Sequence, residues 1–166
     1  MHGDEGGKLA LPVDAPDIMP TLLGLCDLPV PGSVEGRDWS PFFRGEEETT
    51  GEEAALLIMP AEFTELNRNG MKAYRGLRTG RYTYVRNLDG PWLLYDNETD
   101  PYQMKNLIGD AGFADLQEEL ECLLQKRLEE VGDEFLDGWA YLERDGLTHY
   151  REVNGECSRP WRDPWK

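Results

Sequence analysis

Tyr74-Arg75-Gly76-Leu77-Arg78-Thr79-Gly80-Arg81-Tyr82-Thr83-Tyr84-Val85-Arg86 decides the fold. Two arms carrying Tyr, Leu, Thr and Val flank Thr79-Gly80, the composition of a β-hairpin closed by a tight turn at Gly80. Downstream, Asp89-Gly90-Pro91 reads as a second turn and Trp92-Leu93-Leu94-Tyr95-Asp96 as a third strand. The polar stretch Asn97 to Pro101 ends it, because Asp and Asn side chains bond local backbone in turns. Upstream, Ala54-Ala55-Leu56-Leu57-Ile58-Met59 is a continuous apolar run. It is expected to be a strand covered on both faces, with Leu56 to Met59 as the fourth strand of the sheet.

Such a sheet must bury its apolar face against another element. Residues 113–131 supply that element. Leu116, Leu120, Leu123, Leu124, Leu128 and Val131 recur at three- and four-residue steps, which places them on one face of a helix and the glutamates on the other. Gly132 follows as the natural left-handed stop. The fold class expected is α+β, an antiparallel sheet of three or four strands packed against one long C-terminal helix.

The N-terminal part reads differently. Residues 1–10 are Gly-rich and polar. Asp17-Ile18-Met19-Pro20-Thr21-Leu22-Leu23-Gly24-Leu25 opens a short helix, with Asp17 as N-cap, Pro20 tolerated in the first turn, and Ile18, Leu22 and Leu25 on one face. Ser40-Pro41-Phe42-Phe43-Arg44-Gly45 reads as one helical turn with Ser at the N-cap and Pro just inside it. Five glutamates between Glu46 and Glu53 form a solvated loop. The expected divisions are 1–45, 46–136 and 137–166, the last an irregular tail holding Trp139, Trp161 and Trp165.

Composition narrows the function. Of 166 residues, 33 are Asp or Glu and 17 are Lys or Arg, for a net charge of -16. Nucleic-acid binding rests on phosphate neutralisation by cations, so this balance argues against it and against an anionic membrane surface. No apolar run approaches the roughly 20 residues of a membrane-spanning helix. Residues 1–5 lack the basic start and apolar block of a secretory signal. Cys26, Cys122 and Cys157 are three in number and widely spaced, which implies neither a disulfide framework nor a paired-Cys metal site. His2 and His149 read as surface histidines. Nothing here singles out a compartment.

No nucleophile elbow, phosphate loop or metal-ligand spacing occurs, so no residue of the chain is singled out as catalytic or metal-binding. Asp96, Glu98 and Asp100 form an acidic stretch whose simpler reading is a hydrogen-bonded turn. The one unusual feature is basic. Lys72, Arg75, Arg78, Arg81 and Arg86 fall within fifteen residues with no acid between them. Guanidinium groups grip sulfate, phosphate or carboxylate through paired hydrogen bonds. Strand alternation points Arg75 and Arg78 to opposite faces, so the five cannot form one patch. The bland reading is of solvent-facing hairpin positions paired with the acidic helix.

Several stretches resemble the sulfatases. Asp17-Ile18-Met19-Pro20-Thr21-Leu22-Leu23, with Gly36-Arg37-Asp38 and Pro41-Phe42-Phe43-Arg44-Gly45, is similar to their D-[LIM]-[MA]-P-T-[LI]-L … G-x-[SD] … L-L-x-G pattern. Tyr74 to Tyr84 resembles R-x-[VL]-R-T-x-x-[YW]-K-[YL]. Leu94-Tyr95-Asp96 with Asp100-Pro101-Tyr102-Gln103-Met104-Lys105-Asn106-Leu107 resembles L-Y-D-L-x-x-D-P-x-E-x-x-N-L. The order holds over residues 16–131. Two positions depart from the pattern: Thr83 stands where the family usually has Lys, and Gln103 where it has Glu.

The resemblance is to the C-terminal part of a formylglycine-dependent sulfatase, within the alkaline phosphatase superfamily. It implies a sulfuric ester hydrolase whose formylglycine, calcium and active-site Lys and His residues lie in a larger N-terminal domain. That domain would be the partner of this region, and a sulfated small molecule or sugar the substrate. No cofactor is then expected in this chain. Cys157-Ser158-Arg159-Pro160 has the letters of the C/S-x-P-S-R formylglycine motif in the wrong order and at the wrong end. Lys72, Arg75 and Arg78 are the candidate substrate-binding residues, in one wall of the cleft. Two other readings stand beside this one: a phosphonate or phosphate ester hydrolase of the same superfamily, and a non-catalytic interaction domain using the late tryptophans. An exposed Ile18, Leu22 and Leu25 face would also favour self-association.

Overall fold

Strands β1 (Ala54–Met59), β2 (Tyr74–Thr79), β3 (Tyr82–Asn87) and β4 (Gly90–Asp96) form one antiparallel sheet in the computed structural model, which describes residues 11–48, 53–60 and 72–149. The strand order is β1-β2-β3-β4, a plain meander in which each strand pairs with its sequence neighbour. Turns of two residues close both hairpins. Gly80-Arg81 joins β2 to β3, one residue later than the sequence indicates, because the Thr79 hydroxyl accepts the Tyr82 N–H at 2.8 Å and organises the turn from within the strand. Leu88-Asp89 joins β3 to β4, so Pro91 lies inside β4 rather than in the turn. It is tolerated because β4 is an edge strand and the register shifts beside Arg86, opposite Pro91.

Strand β1 departs from expectation. It sits at the other edge, with Ala54 and Ala55 buried and Ile58 exposed. An unbroken apolar run does not by itself show two covered faces. At a sheet edge the same residues remain half in solvent.

The long helix, α3 (Ala114–Val131), is preceded by a 3-10 turn at Ala111–Phe113 and stopped by Gly132 with φ +68°. Its Leu120, Leu124 and Leu128 are buried against Leu77, Tyr84 and Leu94, which project from three adjacent strands at facing register positions. Val131, the last of the predicted apolar face, reaches past the sheet and is exposed.

Helices α1 (Ile18–Leu25) and α2 (Ser40–Phe43) make a separate small unit. Asp17 occupies the position before α1, but its side chain does not cap that helix. Its carboxylate instead accepts the Trp39 indole N–H at 2.8 Å, the Arg37 N–H at 2.8 Å and the Asp14 N–H at 3.1 Å. Asp38, not Ser40, accepts the N–H at the start of α2. Gly36 is required where this loop crosses the chain, since a Cβ there would lie 2.1 Å from the Pro16 carbonyl oxygen. Asp17 is buried, so replacing it with alanine leaves an indole and two backbone donors without their acceptor. Asp17→Ala is expected to cost about 2 kcal/mol of stability. Urea unfolding followed by tryptophan fluorescence measures this, with Asp17→Asn losing less.

The region after Leu136 is not wholly irregular. Gly138–Arg144 forms a two-turn helix, α4, whose N-terminus is capped by Asp137 through bonds to the Trp139 and Ala140 N–H groups. A helix this short shows no periodicity to read. Trp161 and Trp165, like most of the glutamate loop after Glu48, lie outside the described residues.

Candidate functional site

The structure separates the three sequence-predicted cations. Arg75 lies on the helix side of β2 and exposes only 1% of its surface. All five of its N–H donors are used. Nε and Nη2 clasp the Asp133 carboxylate, the latter at 3.1 Å. Nη1 donates to the Met59 and Tyr74 carbonyls at 3.0 Å each, and Nη2 also reaches the Tyr141 hydroxyl at 3.0 Å. The guanidinium stacks 4.7 Å from the centre of the Phe135 ring. With no donor left and no surface, Arg75 in this arrangement ties β1, β2 and the segment after α3 together rather than meeting a ligand.

Asp133 and Tyr141, the partners that fix Arg75, were not singled out in the sequence. Asp133 follows the Gly132 stop directly, and its carboxylate accepts the Tyr141 hydroxyl at 2.6 Å and the Phe135 N–H at 2.8 Å. Burial opposes its ionisation, but the bonds from Arg75, Tyr141 and Phe135 outweigh that and hold it below the usual carboxylate range. Burial and the bond to Asp133 push the Tyr141 hydroxyl up.

Lys72 is exposed just before β2 and pairs with Asp89 of the β3–β4 turn, which is also open to solvent. Arg81 and Arg86 serve acids as well. Arg81 bonds Asp96 at 2.6 and 3.0 Å and so depresses the Asp96 carboxyl well below its ordinary value. Asp96 also accepts the Glu98 and Thr99 N–H groups, and Asp100 accepts that of Lys105. The acidic stretch is therefore a hydrogen-bonded turn. Arg86 reaches Glu121 of α3, which also receives the Tyr84 hydroxyl at 2.5 Å. Burial, then this contact, pushes the Tyr84 hydroxyl well above its usual value.

Arg78 is placed differently. It lies on the sheet face away from α3, between Ala55 on β1 and Thr83 on β3. It is half-buried, and Nη1 donates to Thr83 Oγ1 at 2.8 Å. Asn97 Nδ2 and Gln103 Nε2 converge on the same oxygen at 3.0 and 3.1 Å, and Gln103 also bonds Asn97 Oδ1 at 2.7 Å. The two departures from the sulfatase pattern, Thr83 and Gln103, are therefore in contact with each other. The exchange at both positions leaves a neutral hydrogen-bonded pair. Gln103 adopts φ +54°, a conformation uncommon for residues other than glycine, and the side-chain bonds hold it there.

A groove of about 850 Å³ runs between the N-terminal unit and the β1–α3 edge. Six acids, among them Asp14, Asp17 and Glu130, line it against the three cations Arg37, Lys126 and Arg127, so it disfavours an anion. Asp14 crosses this groove to accept the Leu56 N–H of β1. Its desolvation there pushes its carboxyl up. Among the described residues no group of three or more His, Cys, Asp or Glu side chains is arranged to hold a metal ion.

The family model described as N-sulphoglucosamine sulphohydrolase, C-terminal, matches residues 5–131. An ulvan-active sulfatase from Formosa agariphila is 39% identical over 140 residues, which cover 84% of this chain and 27% of that protein. A solved structure of a protein in complex with its substrate D-glucosamine-2-N,6-O-disulfate superposes with a TM-score of 0.55 at 29% identity, covering 71% of this chain and 24% of the other. A phosphonate monoester hydrolase from Silicibacter pomeroyi superposes with a TM-score of 0.54 at 25% identity, covering 72% and 26%. The chain thus spans about a quarter of the length of the relatives it is similar to.

Proposed function

The chain belongs to the N-sulphoglucosamine sulphohydrolase C-terminal family, and on that footing we propose that it is the C-terminal subdomain of a sulfuric ester hydrolase acting on sulfated sugars. The observation that carries this reading is the family match over residues 5–131, a region equivalent to about a quarter of its relatives' length. In this reading the formylglycine and calcium belong to a larger preceding domain. No step of the reaction is assigned to the described residues. What this chain contributes is a rigid wall. The sheet, packed on α3 through the leucine core and tied by Arg75 to the segment that follows α3, presents its free face to the cleft. Lys72 and Arg78 are the cations of that wall, and Arg75 is a positioning residue behind it.

The preceding domain would dock on the α1 face. Ile18, Leu22 and Leu25 are exposed there, with Leu22 at 58%, although an apolar helix face of this kind needs a cover. Without that cover, the chain is expected to form a dimer or larger assembly through the same face. Multi-angle light scattering at high concentration tests this, and a clean monomer contradicts it.

The direct assay is release of sulfate from an aryl sulfate by the purified 166-residue chain with calcium present. No turnover above buffer is expected. Measurable metal-dependent hydrolysis would overturn the assignment of the chemistry to another domain. A phosphonate monoester hydrolase subdomain is the second reading. The similar TM-score of the Silicibacter pomeroyi enzyme favours it, because the sheet and helix are common to both.

A further inference from the structure

Among the described residues, the seven arginines other than Arg78 each lie within ion-pair distance of a carboxylate. Arg78 does not, in a chain with 33 acids and 17 bases. Scarcity of acids is not the reason. The side chain is also not mobile surface: it is half-buried between Ala55 and Thr83, and Thr83 Oγ1 fixes one end of its guanidinium at 2.8 Å. A guanidinium carries five N–H donors, and this one makes a single hydrogen bond among the described residues. Its surroundings are rich in donors. The Asn97 and Gln103 amides both point N–H groups at Thr83 Oγ1, and among the described residues no carboxylate is hydrogen-bonded or ion-paired to Arg78. An oriented, half-buried cation with spare donors in a planar fork is the arrangement that binds a tetrahedral or planar oxyanion in two-point fashion.

We propose that Arg78, oriented by Thr83, Asn97 and Gln103, forms a recognition site for an oxyanion of an acidic sugar, either a sulfate or a carboxylate group. The ligand class rests on the sulfated-sugar reading above, while the location rests on the geometry alone. Thr83 and Gln103 make the site specific. A lysine and a glutamate at these positions would bring a competing ammonium and a competing carboxylate against the guanidinium. The neutral pair orients Arg78 and leaves its charge for the ligand.

The test is an NMR titration of the whole chain, following the Arg78 Nε–Hε resonance. Sodium sulfate, sodium glucuronate and neutral glucose are the three probes, in salt at about 0.15 M to screen the net negative charge beyond roughly 8 Å. A saturable shift with sulfate, with glucuronate or with both is expected, and none with glucose. Sulfate alone assigns the site to an ester sulfate, and glucuronate alone to a ring carboxylate. Arg78→Gln should abolish the shift of the neighbouring Thr83 and Gln103 resonances, and Arg78→Lys should weaken binding about tenfold, because an ammonium lacks the fork. Thr83→Val, which keeps the cation and removes its orienting oxygen, should weaken binding severalfold. No saturable shift with either anion, or equal binding by Arg78→Gln in a protein that melts like the parent, overturns the proposal. Anion binding at Arg78 together with a substrate preference indifferent to this chain would leave the site standing and sink the cleft reading.

Discussion

Arg75→Ala is expected to destabilise the chain by about 3–5 kcal/mol, the cost of breaking a buried ion pair by removing one partner. The effect is large because the loss is not one contact. Asp133, whose side chain is 13% exposed, keeps its charge and loses both clasping bonds, and the Met59 and Tyr74 carbonyls lose their shared donor. The Phe135 ring loses the cation stacked on it, at a position where its backbone already has φ +49°. Arg75→Lys should recover only part of this, since an ammonium cannot reach Asp133, Tyr141 and two carbonyls at once.

The same pair sets a pH dependence. Asp133 has its folded pKa depressed below the ordinary 3.8. Above that value it is ionised whether folded or not, and its stabilisation is complete. As pH falls below about 3.8 the unfolded chain takes up the proton first, so stability drains away as pH falls through the depressed folded value. Removing Arg75 removes the main cationic cause of the depression. Denaturant melts between pH 5 and pH 2 should therefore show a shallower acid loss in Arg75→Ala than in the parent. Asp14, whose raised pKa contributes with the opposite sign, is common to both proteins and cancels in the comparison.

Leu124→Ala is the second large effect, at about 2–5 kcal/mol. Leu124 is fully buried at the middle of α3, where Leu77, Tyr84 and Leu94 of three strands meet the helix. Truncating it leaves a cavity that a four-stranded sheet on one side and a helix on the other cannot both collapse into. With total stabilities of roughly 5–15 kcal/mol for a domain, the variant should melt far below the parent. By contrast Val131→Ala, at the exposed end of the same apolar series, should change the melting temperature little.

The contrast between these two residues shows how far the sequence could be read. Periodicity put Leu124 and Val131 on one helix face, and that is correct, but it did not tell where the sheet ends beneath the helix. Alternation likewise sent Arg75 and Arg78 to opposite faces of β2, as found. It said nothing of what each would meet, because Asp133 lies 58 residues from Arg75 and only the packed helix brings them together. Pattern reading gave the strands and the long helix because those depend on local spacing. It missed α4 because two turns starting at Gly138 leave no period to detect. It misjudged β1 because burial of an apolar run depends on its place in the sheet, and it gave Asp17 a capping role because the competing indole of Trp39 is 22 residues away.

The role proposed for this chain is that of the substrate-choosing wall of a sulfatase. A chimera tests it most directly: the C-terminal quarter of the ulvan-active sulfatase from Formosa agariphila replaced by residues 5–131 of this chain, the region that carries the family match. A folded chimera is expected that hydrolyses sulfate esters with kcat retained within about tenfold and KM values reordered among sulfated sugars, the reordering lost in its Arg78→Gln variant. A folded, active chimera whose preferences among sulfated sugars are those of the unaltered enzyme would contradict it.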